Sequence, residues 1–157
     1  MINRTRTLIV TAAFVVAAGA AAALAHGGQA HGASGSVLVL KISASRISTV
    51  DVPPLITSKT SPESPGDEVI SVSKVGGSAT GHRYLFCTNT GTARSIEVAL
   101  YDCHVTYVLG NSTVTADGVI RLTGDATAAI TGGTGAYAGA RGTLRSTPAN
   151  DTLTLLP

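Results

Sequence analysis

The chain has 157 residues, with 11 Lys and Arg against 9 Asp and Glu, a net charge of +2 at pH 7 and 44% hydrophobic residues. Two of the basic residues, Arg4 and Arg6, lie in the first 25 positions, which hold no acidic residue, so the remainder is formally neutral. That balance argues against a broad basic surface for nucleic acid or anionic lipid. A charged fraction of 13% argues against a coiled coil or a charged disordered tail.

Met1–Ala25 has the layout of a secretory signal peptide: a short positive start, an apolar run over Leu8–Ala22 and an A-x-A ending at Ala23-Leu24-Ala25. A second cut could follow Ala30. A retained anchor is the alternative, but the run is mostly alanine and ends in small residues. Arg4 and Arg6 are not adjacent, as a twin-arginine signal requires, and no Cys stands at the cleavage point to carry a lipid. No other stretch approaches the roughly 18–20 apolar residues that cross a bilayer. The sequence therefore predicts a leader over 1–25, a flexible Gly/Ala/Ser lead-in over 26–36 and one secreted domain over 37–157, with no membrane span after cleavage.

Export changes how Cys87 and Cys103 read, because two cysteines in an oxidising compartment are expected to pair. Joining them with His82 and His104 in a Cys2His2 zinc site is the minor alternative. His26 and His31 read as polar residues of the lead-in rather than as ligands, so no metal is expected.

From Val37 onward the pattern is β throughout, rich in Thr, Val and Ile and punctuated by Gly. Val37–Ser43 alternates, with Leu38, Leu40 and Ile42 on one face. The stretch 51–66 holds four prolines and reads as a loop or irregular edge. Strands are then expected at 68–75, 82–88, 97–109, 112–122, 126–131, 141–147 and 151–156. Gly110-Asn111 supplies a tight turn. About eight short strands over roughly 130 residues fit one all-β domain, an antiparallel barrel or a sandwich. A hairpin turning near Ser95 would set Cys87 opposite Cys103, Phe86 opposite His104 and Tyr84 opposite Thr106. Directly opposed residues at a non-hydrogen-bonded site lie ~4.5 Å apart at Cα, within disulfide reach. The bridge would close a loop of roughly 15 residues and contribute about 3 kcal/mol.

Familiar catalytic signatures are missing. Gly133-Thr134-Gly135-Ala136-Tyr137-Ala138 has the G-x-G-x-x-A spacing of a dinucleotide turn, but the β-patterned remainder leaves no room for the helix and strand that must follow. Gly132, Gly133 and Gly135 instead read as a structural turn needing positive φ or close backbone approach. Asp102 and His104 share a strand face, but no serine sits in a G-x-S-x-G elbow. Asp and Glu are too few and scattered for paired glycosidase carboxylates. Asn111-Ser112-Thr113 and Asn150-Asp151-Thr152 are glycosylation sequons. A closed barrel of this size either holds one small ligand or is filled by its own side chains.

The segment Ala129-Ile130-Thr131-Gly132-Gly133-Thr134-Gly135-Ala136-Tyr137-Ala138-Gly139-Ala140-Arg141-Gly142 resembles one shared by plant dirigent proteins and the allene oxide cyclase-like barrel families. Pro65-Gly66-Asp67-Glu68-Val69 before a strand, a strand ending at Cys87, and Ser112-Thr113-Val114-Thr115-Ala116-Asp117-Gly118 agree in order, so the resemblance spans roughly 37–157. It implies a single eight-stranded antiparallel β-barrel, often trimeric, with an apolar cavity and no cofactor; a homotrimer or homodimer is the expected assembly. Its members steer a reactive small molecule, cyclising a fatty-acid epoxide or orienting phenoxy radicals. Cys87 and Tyr107 fall where the cyclases have pocket Cys and Tyr residues, and Arg141 matches the dirigent-type arginine. The cyclase Glu and Asn of the first strand are replaced by Lys41 and Ser43. A dirigent aspartate is replaced by Ile120. The resemblance thus makes Tyr107, Arg141, Lys41 and Ser43 candidates for the pocket, and Tyr84, on the neighbouring strand, is a further candidate. The expected function is binding of an apolar small molecule, guiding its cyclisation or coupling. The alternative is a non-catalytic module with a filled barrel.

Overall fold

A computed structural model describes residues 35–52, 64–91 and 98–157. The leader, most of the lead-in, the central part of the proline-rich loop and the expected turn near Ser95 lie outside the described residues. Eight strands follow in chain order: β1 (Val37–Val50), β2 (Glu68–Gly77), β3 (Gly81–Asn89), β4 (Tyr101–Leu109), β5 (Ser112–Ile120), β6 (Ala126–Thr134), β7 (Gly142–Ser146) and β8 (Asn150–Leu155). A 3₁₀ turn, Gly135–Tyr137, separates β6 from β7. Every strand pairs antiparallel with its neighbour, and β1 pairs with β8, so the sheet closes as an eight-stranded barrel. Closure removes the unpaired edges that an open sheet would present.

Period-two alternation decides what fills the barrel. Leu40 of β1, Val75 of β2, Leu109 of β4, Val114 of β5, Leu144 of β7 and Leu153 and Leu155 of β8 bury their side chains together. They plug the end that carries the Gly110-Asn111 turn, where Leu109 and Ser112 pair directly. A second buried group, Cys87, Ala99, Tyr101 and Cys103, packs on Val69, Leu85, Ile120 and Leu122 toward the opposite end.

β1 runs seven residues beyond the expected stop at Ser43. The extension contains a bulge, because Ser43 pairs with Lys74 while Arg46 pairs with Val72. Ala44 carries a positive φ of 48° there, a backbone conformation costing an L-residue about 1–2 kcal/mol. The extra residue inverts the alternation. Leu38, Leu40 and Ile42 point inward before the bulge, whereas Ser45, Ile47 and Thr49 line the interior after it.

The β3–β4 register is the one the spacing predicts: Cys87 opposes Cys103, Phe86 opposes His104 and Tyr84 opposes Thr106. Cys87 and Cys103 form a disulfide with Cα atoms 4.1 Å apart. It lies inside the barrel, whereas His82 and His104 occupy the outer, alternate positions, so both thiols are consumed and the Cys2His2 reading is set aside. The double variant Cys87→Ala/Cys103→Ala is expected to lose about 3 kcal/mol of stability. Urea midpoints under non-reducing conditions read this directly; an unchanged midpoint would contradict it.

Asp67 ties together the two ends of the β1–β2 connection. Its Oδ1 accepts from the Val52 amide at 3.0 Å and the Ser64 hydroxyl at 2.9 Å, and its Oδ2 accepts from the Ser64 amide. Burial pushes this carboxyl up, but the Ser64 and Val52 amides and the Ser64 hydroxyl outweigh that and hold it below the ordinary carboxylate range. A lowered folded-state pKa contributes stability above the unfolded value of about 3.9, and that stability disappears as pH falls through the folded value. Denaturant midpoints measured from pH 7 down to pH 2 should therefore fall for the native chain, and less steeply for Asp67→Asn.

Candidate functional site

The end of the barrel opposite the plug is open. Ile42, Ser45, Ile47 and Thr49 of β1, Val69 and Ser71 of β2, and Arg83 and Leu85 of β3 form one side of a cavity of about 410 Å³. Ile120 of β5, Ala126 of β6 and Ser146 of β7, with residues 121–124 and 147–148 of the connecting loops, form the other. The bulge in β1 creates this wall, since without it Arg46 and Ser48 would face inward. Ile47 is 65% exposed although its side chain belongs to the inner face, because it faces open cavity instead of packed core.

The cavity floor is polar. Arg83, with a side chain 12% exposed, places Nε 3.1 Å from Oδ2 of Asp151, which is fully buried. The same oxygen accepts a 2.6 Å hydrogen bond from the Tyr107 hydroxyl. The Arg83 Nε–H is not aligned for a hydrogen bond despite the short distance, and Asp151 Oδ1 has no hydrogen-bond partner. The contact is therefore chiefly coulombic. Burial, reinforced by the negative charge of Asp151, raises the Tyr107 pKa far above its ordinary value, so the ring stays a neutral phenol and a donor. Two arginines, Arg83 and Arg121, line the cavity, and among the described residues no acidic residue does.

No family model matches the chain, and no curated protein matches it. Among solved structures, the chain is similar to a pyocyanin demethylase. The two share 24% identity with a TM-score of 0.63, over 76% of this chain and 99% of that one. At that identity the likeness establishes the fold, a small antiparallel barrel.

The structure distributes the residues singled out from sequence unevenly. Tyr107 is inside the barrel, buried below the cavity instead of in its wall. Lys41 and Ser43 are exposed, because the inward positions of this half of β1 are 40 and 42; the Ser43 hydroxyl donates to the Lys74 carbonyl. Tyr84 is 45% exposed on the outer face of β3, beside Phe86 two positions on. Arg141 is exposed before β7, where its guanidinium donates to the Thr131 carbonyl at 3.4 Å. Parity explains all four: each occupies the outward phase of its strand or lies in a connection. Arg83 and Asp151 were missed, since nothing local marks them. Ile120, standing where the resemblance would place an aspartate, does line the cavity. Gly132 and Gly133 belong to β6 itself, and only Gly135 begins the turn, with φ +61°. At Gly133 a Cβ would stand 2.4 Å from the Tyr137 carbonyl oxygen and 2.6 Å from that of Thr113, so close approach of backbone excludes a side chain there.

Asp102 does not partner His104. His104 instead sits across from Asp117, with Nδ1 2.5 Å from Asp117 Oδ1 and Nε2 3.1 Å from the Thr106 hydroxyl. Acid, imidazole and hydroxyl follow the order of a nucleophilic triad. The cluster lies on the outer barrel wall, where neighbouring strands use the backbone N–H groups in the ladder, so the backbone offers no ready oxyanion hole there. Hydrogen bonds among Asp117, Thr131 and His104 hold the Asp117 carboxyl below its ordinary range against the opposing effect of burial.

Proposed function

We propose that the chain is an exported β-barrel that binds an apolar small molecule in its open-ended lumen. The observation that carries this reading is the asymmetry of the interior, one end plugged by leucine and valine and the other holding a cavity of about 410 Å³. That volume falls in the range of small-molecule sites, about 300–1,000 Å³. A barrel filled throughout would leave no such space. The Cys87–Cys103 disulfide supports an oxidising compartment. The similar solved barrel is named for demethylation of pyocyanin, a small molecule, which supports small-molecule binding by a barrel of this fold. The resemblance to cyclase and dirigent barrels extends the proposal to steering: a shaped cavity that holds a reactive molecule in one conformer removes the entropy of reaching that geometry.

Fluorescence titration with the neutral apolar dye N-phenyl-1-naphthylamine tests the binding reading. Saturable one-to-one binding is expected. Ala126→Trp, which places an indole in the cavity, should weaken it by tenfold or more while leaving the β-sheet circular dichroism unchanged. Native mass spectrometry of the secreted protein should show a co-purifying small molecule. Absence of both dye binding and a bound mass would reject the proposal.

A further inference from the structure

We propose that the ligand is an amphipathic acid whose anionic head seats on Arg83 while its apolar body fills the cavity toward the mouth; this rests on the lumen being the binding site. The argument begins with charge. The buried pair Arg83–Asp151 is neutral as a unit, and Tyr107 adds a donor without charge. Arg121 adds a second cation to the lining, and among the described residues the lining contains no carboxylate. The described lining therefore carries a net positive charge, which complements a monoanion.

Geometry then selects the head. A guanidinium carries five N–H donors in a planar fork suited to bidentate recognition of a carboxylate. Asp151 meets Arg83 at Nε, and the Arg83 side chain lines the cavity; the remaining donors of a guanidinium lie on its terminal nitrogens. The ion pair with Asp151 restrains the Arg83 side chain before a ligand arrives, so less side-chain entropy remains to be lost on binding. Arg83 borders both the large cavity and the narrow extension beneath it, which places its charge at the deep end, away from competing water. Above it the walls are Ile42, Val69, Leu85 and Ile120, which match a hydrocarbon or aromatic body and repel a second charge.

The experiment compares 6-(dimethylamino)-2-naphthoic acid with its methyl ester, two fluorophores with one apolar body and one charge of difference. At pH 7 and low ionic strength the native chain should bind the acid at least tenfold more tightly than the ester. Arg83→Gln should remove that preference, bringing the affinities for acid and ester within about twofold of each other. If that variant fails to fold, Arg83→Gln/Asp151→Asn removes both charges together and should give the same result. Arg121→Gln should reduce the preference only partly. Equal affinity of the native chain for acid and ester, with N-phenyl-1-naphthylamine still bound, overturns this inference alone and leaves Arg83–Asp151 as a structural pair. Failure of all three probes to bind overturns it together with the lumen reading.

Discussion

Asp151→Ala is expected to destabilise the barrel by about 3–5 kcal/mol, the cost of breaking a buried ion pair by removing one partner. The carboxylate is fully buried at the start of β8 and is shared by two groups from other strands, Arg83 of β3 and Tyr107 of β4. Its loss leaves a guanidinium, only 12% exposed, without a counter-ion and a phenol without an acceptor. Arg83 is largely buried and Tyr107 fully so, and neither group is readily re-solvated. Replacing all three with apolar residues, as in Arg83→Met/Tyr107→Phe/Asp151→Leu, should recover most of the loss, because buried ionic clusters are often no more stabilising than well-packed hydrophobic ones. The two results together form a test by non-additivity. Urea midpoints that simply sum across the single variants would show that the three residues do not act as a unit.

Gly142→Ala should cost about 4 kcal/mol or more, at the upper end of single-residue effects. Gly142 opens β7 with φ +147°, a backbone conformation that L-residues rarely adopt. A Cβ there would also stand 1.9 Å from the Thr154 carbonyl oxygen of β8, a backbone atom that cannot rotate away. The β7–β8 pairing would have to separate, and with it the closure of the barrel through β1 and β8. Gly139 is the control. It has φ +75° but no neighbour within 4 Å of the added carbon, so Gly139→Ala should cost only the conformational penalty of about 1–2 kcal/mol. Equal thermal midpoints for the two variants would show that backbone strain alone, without the close approach, governs Gly142.

Much of the architecture was legible because it rests on local signals. Alternation in Leu38, Leu40 and Ile42, the Gly110-Asn111 turn and the spacing of Cys87 and Cys103 all reflect constraints within one strand or one hairpin. The first strand was read too short, since Ala44 sits at a bulge that interrupts the alternation. The bulge is stabilised by pairing with β2, including the 2.8 Å contact between the Ser45 and Ser73 hydroxyls, and β2 lies more than twenty residues away. The site was much less legible. Lys41, Ser43 and Arg141 were aligned by motif, but motif position leaves strand parity undetermined within one residue, and one residue exchanges lumen for solvent. Arg83 and Asp151 are 68 positions apart in the chain and meet only when the barrel closes.

By itself, the sequence determined an all-β chain of short alternating strands, the hairpin register that joins Cys87 to Cys103, and a glycine-rich segment that calls for positive φ or close backbone approach. Each follows from the two-residue period or from steric exclusion, which act over a few neighbouring residues. Only the tertiary structure decided that the interior is plugged at one end and open at the other, that the bulge turns Ile47 into the cavity wall, and that Asp151 holds Arg83 at its floor. Those features depend on which side chains from distant strands share the barrel interior, and ring closure, not local pattern, brings them together.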